Sequence, residues 1–338
     1  ESPVGPFRLA ANTPYSYKPG GFLPGAGHGS TMADRQGNLW HTATMRISKN
    51  HDFERRVGLW PAGFDADGEL FCNQRYGDWP MAVSGQKDDP WRDPAWMLLS
   101  AGKAASASSC TPGHEPGEVT KEDVQTWWQA ASVDRSEWLQ VDLGRPMDVR
   151  AVQVNFADDR IDVPCPGPIR PGSQARYIDE ADRVTQWKLE GSLDGRDWFA
   201  VEDKSAAATD LSHDLVVRAE GFAARYLRLS DMAVPFGQRP CVSGLRVFGR
   251  SDGEKPAAPA FSAARQGDLD MLVDIVPQSD ALGYNILFGA SPEKLYHSCM
   301  TFAPGKIRVG ALIRDRAYWV RVDAFDEAGI TRGTCVKL

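Results

Sequence analysis

Short runs of alternating apolar and polar residues dominate the chain, and they predict β-strands. The clearest apolar faces are Leu139, Val141 and Leu143 in the run 138–143, and Val152, Val154 and Phe156 in the run 150–156. Alternation with a period of two is typical of a strand that is buried on one face. Turn-forming residues recur about every 8–12 positions, and long amphipathic helical patterns are missing, so the sequence predicts an all-β fold.

Two stretches rich in Gly, Pro and charged residues divide the chain into three regions. Residues 85–95 and 251–256 are predicted to be linkers. Residues 1–84 contain four short strand-like runs. Residues 96–250 contain strands with one apolar face each, which favours two packed antiparallel sheets. Residues 257–338 are predicted to form a small sandwich, for which about 80 residues suffice.

The four runs of the first region predict an antiparallel meander. They cover residues 28–33, 38–47, 55–64 and 69–73. Four such strands make one blade of a β-propeller, and about four to eight blades are needed to close the ring. We therefore expect a partial propeller whose other blades precede Glu1, with an N-terminus that was removed by processing, cloning or truncation.

Composition limits the partners of the protein. The net charge of −7 disfavours nucleic acid, which is bound by basic surfaces. Membrane spans are not expected, because no run of about 18 apolar residues occurs. The six cysteines form no Cys-x-x-Cys pair, which disfavours a zinc site. Cys299 and Cys335 either pair in an exported protein or remain free thiols.

The middle region resembles the discoidin domain, the C-terminal type of coagulation factors 5 and 8. The motifs that carry the resemblance are residues 104–109 (AASASS), 126–130 (TWWQA), 138–144 (WLQVDLG), 189–195 (LEGSLDG) and 225–229 (RYLRL). The resemblance implies an eight-stranded jelly roll that binds a sugar, lipid or protein through loops at one end. The Pro/Gly-rich segment Val163–Gly172 lengthens one of those loops. We expect Trp127 and Trp128 to lie mainly in the core.

The discoidin resemblance also implies a structural calcium ion, which many relatives hold just before the Trp-rich strand. Glu122, Asp123 and Thr126 fall at that place. Their oxygen atoms suit a hard cation such as Ca²⁺. The alternative is an acidic turn that is solvated and binds no metal.

Residues 1–84 resemble the last blade of the five-bladed propeller of family 43 glycoside hydrolases, mostly β-xylosidases and α-L-arabinofuranosidases. The motifs are residues 25–30 (GAGHGS), 37–41 (GNLWH), 54–62 (ERRVGLWPA) and 64–68 (FDADG). The resemblance implies that His28 helps to hold a hydrated metal ion, commonly calcium, on the propeller axis. The alternative is a histidine bonded to backbone in a glycine-rich turn. It also implies that Arg55 contacts the sugar, a role that suits a guanidinium because it donates two parallel hydrogen bonds.

Catalytic residues are not assigned in this chain. Inverting hydrolysis needs two carboxyl groups about 6.5–9.5 Å apart, and the resemblance places these groups in earlier blades. Asp34, Asp65 and Asp67 occur in turn motifs and are interpreted as turn-formers.

The last region resembles a fibronectin type III domain through residues 318–325 (YWVRVDAF) and the following turn.

Two functions remain open. The chain is either the C-terminal portion of a secreted glycoside hydrolase acting on plant-type glycans, or a non-catalytic carbohydrate-binding or adhesion protein. Both alternatives predict a glycan ligand and a place at the cell surface, in the periplasm or outside the cell.

Overall fold

The computed structural model describes residues 3–46, 55–159 and 183–338, and these contain strands, turns and two short 3₁₀ helices but no α-helix. The predicted all-β fold is confirmed. Backbone contacts divide the chain into two compact units. Of the described residues, 3–46, 55–98 and 250–338 form the first unit, and 99–159 and 183–249 form the second.

The first unit begins with a four-stranded antiparallel meander. Its strands are β1 (Gly27–Ala33), β2 (Leu39–Arg46), β3 (Arg55–Phe64) and β4 (Leu70–Cys72), hydrogen-bonded in chain order. Each of the four predicted runs forms a strand with nearly the expected bounds. One face of this sheet buries a small core of Ala43, Met45, Trp60 and Cys72. That such a meander is a propeller blade remains a prediction.

Aspartates fix the two β-turns of this meander. In each turn, one carboxylate oxygen of Asp34 or Asp65 accepts the backbone N–H groups of the residues two and four positions later, all at 2.9 Å. Gly37 and Gly68 complete the turns with a φ of 78°, a conformation that glycine adopts without steric cost. The interpretation of Asp34 and Asp65 as turn-formers is confirmed.

The C-terminal part of the first unit is a sandwich of two antiparallel sheets. Its strands are β13 (Phe261–Arg265), β14 (Met271–Ile275), β15 (Gly283–Gly289), β16 (His297–Thr301), β17 (Gly305–Val309), β18 (Trp319–Phe325), β19 (Ile330–Thr331) and β20 (Cys335–Lys337). The short strand β5 (Met97–Leu98) lies at the boundary of this unit and is not part of the sandwich. One sheet has the order β13-β14-β17, and in the other β15 lies between β16 and β18. The hydroxyl of Tyr318, which is fully buried, accepts the N–H of Ile313 at 3.0 Å.

The meander and the sandwich pack against each other within the first unit. Phe325 of β18 lies edge-on to Trp79, with ring centroids 5.4 Å apart. The amide of Asn285 donates to the carbonyl of Arg75 at 2.7 Å. Residues 85–95, which the sequence predicts to be a linker, lie against the same meander, where Asn73 donates to the carbonyl of Pro90 at 2.8 Å. The first and last parts of the chain therefore share one folded unit.

The second unit is built from seven strands in one hydrogen-bonded network. They are β6 (Ala104–Ala107), β7 (Trp128–Gln129), β8 (Leu139–Phe156), β9 (Gln186–Ser192), β10 (Trp198–Asp203), β11 (His213–Ala233) and β12 (Cys241–Arg250). The central order is β10-β9-β11-β8-β12, with β6 on β8 and β7 on β12. The long strands β8 and β11 shift register twice, which bends the pair and lets it wrap around the core.

The two best sequence predictions for this unit merge into one strand. The runs 138–143 and 150–156 are both parts of β8, where residues 144–146 stay exposed and the chain continues without a break. The expectation of two separate strands is therefore wrong, because a bend at Gly144 (φ 84°) keeps the backbone paired with β11. Their apolar faces are buried as predicted.

The core position of the tryptophan pair is confirmed. Trp128 is fully buried and donates its indole N–H to the carbonyl of Ser109 at 2.8 Å. Trp127 is 8% exposed and stacks on His114, with ring centroids 4.9 Å apart.

The five cysteines in the described part of the chain are free thiols, including Cys299 and Cys335. Val163–Gly172 lies outside the described residues.

A buried ion pair supports the first unit. Lys18 Nζ lies 2.8 Å from Asp78 Oδ2, with 5% and 1% of the two side chains exposed, and it also donates to two backbone carbonyls. We expect Asp78→Ala to lower the free energy of unfolding by about 3–5 kcal/mol, because it leaves the buried charge of Lys18 without its partner carboxylate. Urea unfolding measures this change. Asp88→Ala, which breaks the exposed pair with Arg92, is the control and costs at most about 1 kcal/mol. Equal losses of unfolding free energy in the two variants would show that the buried pair does not support the first unit.

Two buried histidines make the first unit sensitive to mild acid. Burial lowers the pKa of His41 and of His297, whose Nε2 donates to the carbonyl of Pro14 at 2.8 Å. The unfolded chain then binds the proton more readily, so stability is full above about pH 6.5 and falls as the pH drops below that value. Between pH 7.5 and pH 5.5, urea unfolding should show a loss of about 1 kcal/mol that shrinks in His297→Gln. An equal loss in both proteins would exclude His297 as the cause.

Candidate functional site

Polar side chains converge at one end of the second unit. Gln129 ends β7, and its Nε2 donates to Asp159 Oδ2 at 2.8 Å. Its Oε1 accepts the hydroxyl of Thr111 at 2.9 Å. β7 pairs with the start of β12, where Cys241 lies opposite Gln129, and Asp159 follows β8 by three residues. Three loops therefore bring an amide, a hydroxyl and a carboxylate together.

An aromatic ring and a guanidinium lie in the segments that precede β12 and β9. Phe236 occupies the centre of the short 3₁₀ helix Pro235–Gly237 with a φ of 62°, a left-handed conformation that is strained for a bulky residue. Arg183, just before β9, places its guanidinium carbon 4.2 Å from the centroid of that ring. Strained backbone of this kind is concentrated at functional loops.

The chemistry of this end suits sugar recognition. Gln129, Asp159, Thr111 and Arg183 supply donors and acceptors, and each is partly exposed. A carboxylate has four lone-pair positions, so Asp159 can accept further hydrogen bonds beside the one from Gln129. Phe236 adds a flat apolar surface for the C–H face of a sugar ring. We refer to these five residues as the loop-end cluster.

Sequence reasoning missed the loop-end cluster. Gln129 lies in the TWWQA motif, which carries the discoidin resemblance but assigns it no role. Asp159, Arg183 and Phe236 lie far apart in sequence, and only folding brings Asp159 to Gln129 and Arg183 to Phe236. The signal in the sequence is the Pro/Gly-rich segment Val163–Gly172, because long segments without strand patterns are often functional.

Glu122, Asp123 and Thr126 do not point toward a common centre. Asp123 is exposed, and its Oδ1 accepts the N–H of Gln125 at 2.9 Å. Thr126 Oγ1 donates to the carbonyl of Asp123 at 3.1 Å and to that of Glu118 at 3.3 Å. These contacts are those of a turn that satisfies its own backbone.

The Glu122 carboxylate is engaged by a guanidinium. Arg246 Nε lies 3.0 Å from both carboxylate oxygens of Glu122, and Arg246 Nη2 lies 2.7 Å from Oε2. The two side chains are 0% and 1% exposed. Calcium needs six to eight oxygen ligands at about 2.3–2.6 Å, so its binding here would require the guanidinium to leave. The predicted set of Glu122, Asp123 and Thr126 therefore does not fit a calcium ion in this conformation.

His28 and Arg55 lie at the same end of the N-terminal meander. The register aligns Gly27 of β1 with Thr44 of β2 and Val57 of β3. His28 is exposed, has a φ of 54° and lies in an irregularity of β1. Arg55 begins β3, and its side chain lies outside the described residues. The metal and sugar roles of these two residues remain predictions.

Asp34 and Asp65 are ionised at neutral pH. The indole N–H of Trp40 and the turn amides hold the pKa of Asp34 at about 2. Burial alone would raise the pKa of Asp65, but its bonds to Lys294 and to the turn amides bring it to about 2. A general acid for glycoside hydrolysis needs a raised pKa, so neither residue suits that role.

A cavity of about 510 Å³ adjoins the meander, between the sheet and the coil that follows it. Its apolar lining includes Trp40, Pro61 and Trp79. Asn38 in its lining is engaged with the chain, since it bonds to Asp34 and to the backbone of residues 86 and 88. The loop-end cluster, with its partly exposed polar groups, is therefore the better candidate for a glycan.

Comparison with known proteins identifies part of the second unit. Residues 117–229 match the sequence model of a F5/8 type C family described as NedA-like, galactose-binding domain. The chain is similar to chitosan-binding module 2 of a Paenibacillus sp. IK-5 chitosanase/glucanase, solved with chitotriose, at 18% identity, 45% coverage of this chain and 99% of that chain, with a TM-score of 0.34.

Two further solved structures are similar over parts of the chain. The family 32 carbohydrate-binding module of C. perfringens NanJ, solved with galactose, is 13% identical over 45% of this chain and 98% of that chain, with a TM-score of 0.34. A glycoside hydrolase is 18% identical over 67% of this chain and 47% of that chain, with a TM-score of 0.34. The family match covers residues 117–229 and supports the discoidin-like part of the sequence prediction for the second unit.

Proposed function

We propose that the second unit binds a glycan through the loop-end cluster. The observation that carries this proposal is the match of residues 117–229 to a galactose-binding family. The cluster supplies groups that suit a sugar, because Gln129 is fixed by Thr111 and Asp159, and Phe236 offers an aromatic ring beside Arg183. Galactosides and chito-oligosaccharides are the first ligands to test, because relatives were solved with galactose and chitotriose.

We further propose that the chain is the C-terminal portion of a secreted glycoside hydrolase acting on plant-type glycans, as its N-terminal motifs resemble family 43. The meander supports a place beside another blade. Met32 and Val57 are apolar yet 54% and 77% exposed, and β1 has no strand on its outer side among the described residues. Exposed apolar groups and an open edge are features of a surface that another element covers.

The alternative, a carbohydrate-binding or adhesion protein without catalysis, shares the loop-end cluster. The two proposals differ only in what the first unit does. None of the helical turns in the described residues is long or apolar enough to cross a membrane.

Glycan binding should depend on the loop-end cluster. We expect Gln129→Ala and Asp159→Ala each to weaken binding about tenfold or more, because each removes hydrogen bonds from a partly dry site. Isothermal titration calorimetry of the full chain with galactose, chitotriose and xylo-oligosaccharides measures this. Asp203→Ala is the control, since Asp203 is exposed on β10, and it should bind like the unmodified protein. Binding that survives in both cluster variants would place the site elsewhere.

The 338-residue chain should not hydrolyse glycosides by itself. Asp34 and Asp65 are ionised and accept backbone hydrogen bonds, so neither can donate a proton to the leaving group. Release of nitrophenol from aryl β-xylosides and α-L-arabinofuranosides tests this expectation. Turnover that persists through repurification and is lost on substitution of a carboxylate in residues 1–84 would refute it.

A further inference from the structure

We propose that the guanidinium of Arg246 is the internal cation of the second unit, so that this unit takes no structural calcium at the Glu122 loop. The discoidin resemblance implies such an ion at Glu122, Asp123 and Thr126. The structure has a positive charge of the protein's own in contact with the carboxylate that was expected to bind the metal.

Three side-chain oxygen atoms and an aromatic ring surround the guanidinium of Arg246. Its guanidinium contacts both carboxylate oxygens of Glu122, and Nη1 donates to Gln153 Oε1 at 2.7 Å. Gln153 lies on β8 and Arg246 on the neighbouring β12. The ring of Phe248 lies 5.1 Å from the guanidinium carbon. One fixed cation thus ties the loop at Glu122 to two strands of the sheet.

The backbone at Glu122 supports the same conclusion. Glu122 has a φ of 57°, which is unfavourable for a residue with a side chain of this size. Such a conformation persists only where the surroundings impose it. The paired hydrogen bonds to Arg246 hold the carboxylate, and therefore the loop, in this position.

Calcium would compete poorly with this arrangement. A divalent ion at the Glu122 carboxylate would lie beside a guanidinium that cannot lose its proton, since the pKa of arginine is above 12. Two positive charges in a dry site repel strongly. The guanidinium cannot move to water without breaking its bonds to Gln153 and Glu122.

The first experiment measures the thermal unfolding of the full chain after dialysis against EDTA, with and without about 1 mM CaCl₂. A calcium site with a Kd of about 10 µM would shift the folding equilibrium about a hundredfold at that concentration. We expect no shift for the transition of the second unit. A rise in Tm with calcium, absent with magnesium, would overturn the proposal.

The second experiment tests the pair itself through a double-mutant cycle of Arg246→Met and Glu122→Gln. Each single variant should lower Tm by several degrees, because it leaves one buried partner uncompensated, and the double variant should lose less than the sum. Arg135→Ala, which breaks the surface pair with Asp231, is the matched control. Additive losses would overturn the proposal. Should a single variant fail to fold, Arg246→Lys keeps the charge and replaces it in the cycle.

These readouts do not depend on glycan binding. A chain that binds no sugar but unfolds independently of calcium would leave this inference intact and refute the proposed function. A chain that binds sugar and is stabilised by calcium would support the proposed function and refute this inference.

Discussion

The requirement that every apolar sheet face be covered organises the first unit. The N-terminal meander buries Trp60 on one face, but four strands alone cannot cover it. The C-terminal sandwich contributes to the cover, since Phe325 packs against Tyr76 and Trp79, which follow the last strand of the meander. Regions that are separate in sequence thus fold as one unit, with the second unit inserted between them in the chain.

Buried charges then fix positions that apolar contacts leave free. Apolar packing is non-directional, whereas a buried ion pair tolerates few geometries. In the first unit, Lys18 and Asp78 connect the N-terminal coil to the segment after β4. In the second unit, Arg246 and Glu122 connect a strand to a strained loop. Each pair sets the path of a chain segment that has no strand of its own.

In the second unit, the core and the proposed glycan site are built from different residues. The core that holds β8 and β11 is apolar and contains Trp128 and Trp187. The members of the loop-end cluster lie at or beyond the ends of strands, and each is partly exposed. The proposed ligand contacts and the stabilising contacts therefore involve different residues, so the former can change without changing the core.

The sequence by itself determined the secondary structure and the core of this protein. Alternation predicted the all-β fold and the buried faces of β8, and turn chemistry explained Asp34 and Asp65, because these effects act over a few residues. Tertiary structure decided the rest. It joined two predicted strands into β8, brought Gln129 into contact with Asp159, and put Arg246 where Glu122 suggested a metal. Contacts between residues more than 100 positions apart leave no local pattern, so no reading of neighbouring residues reveals them.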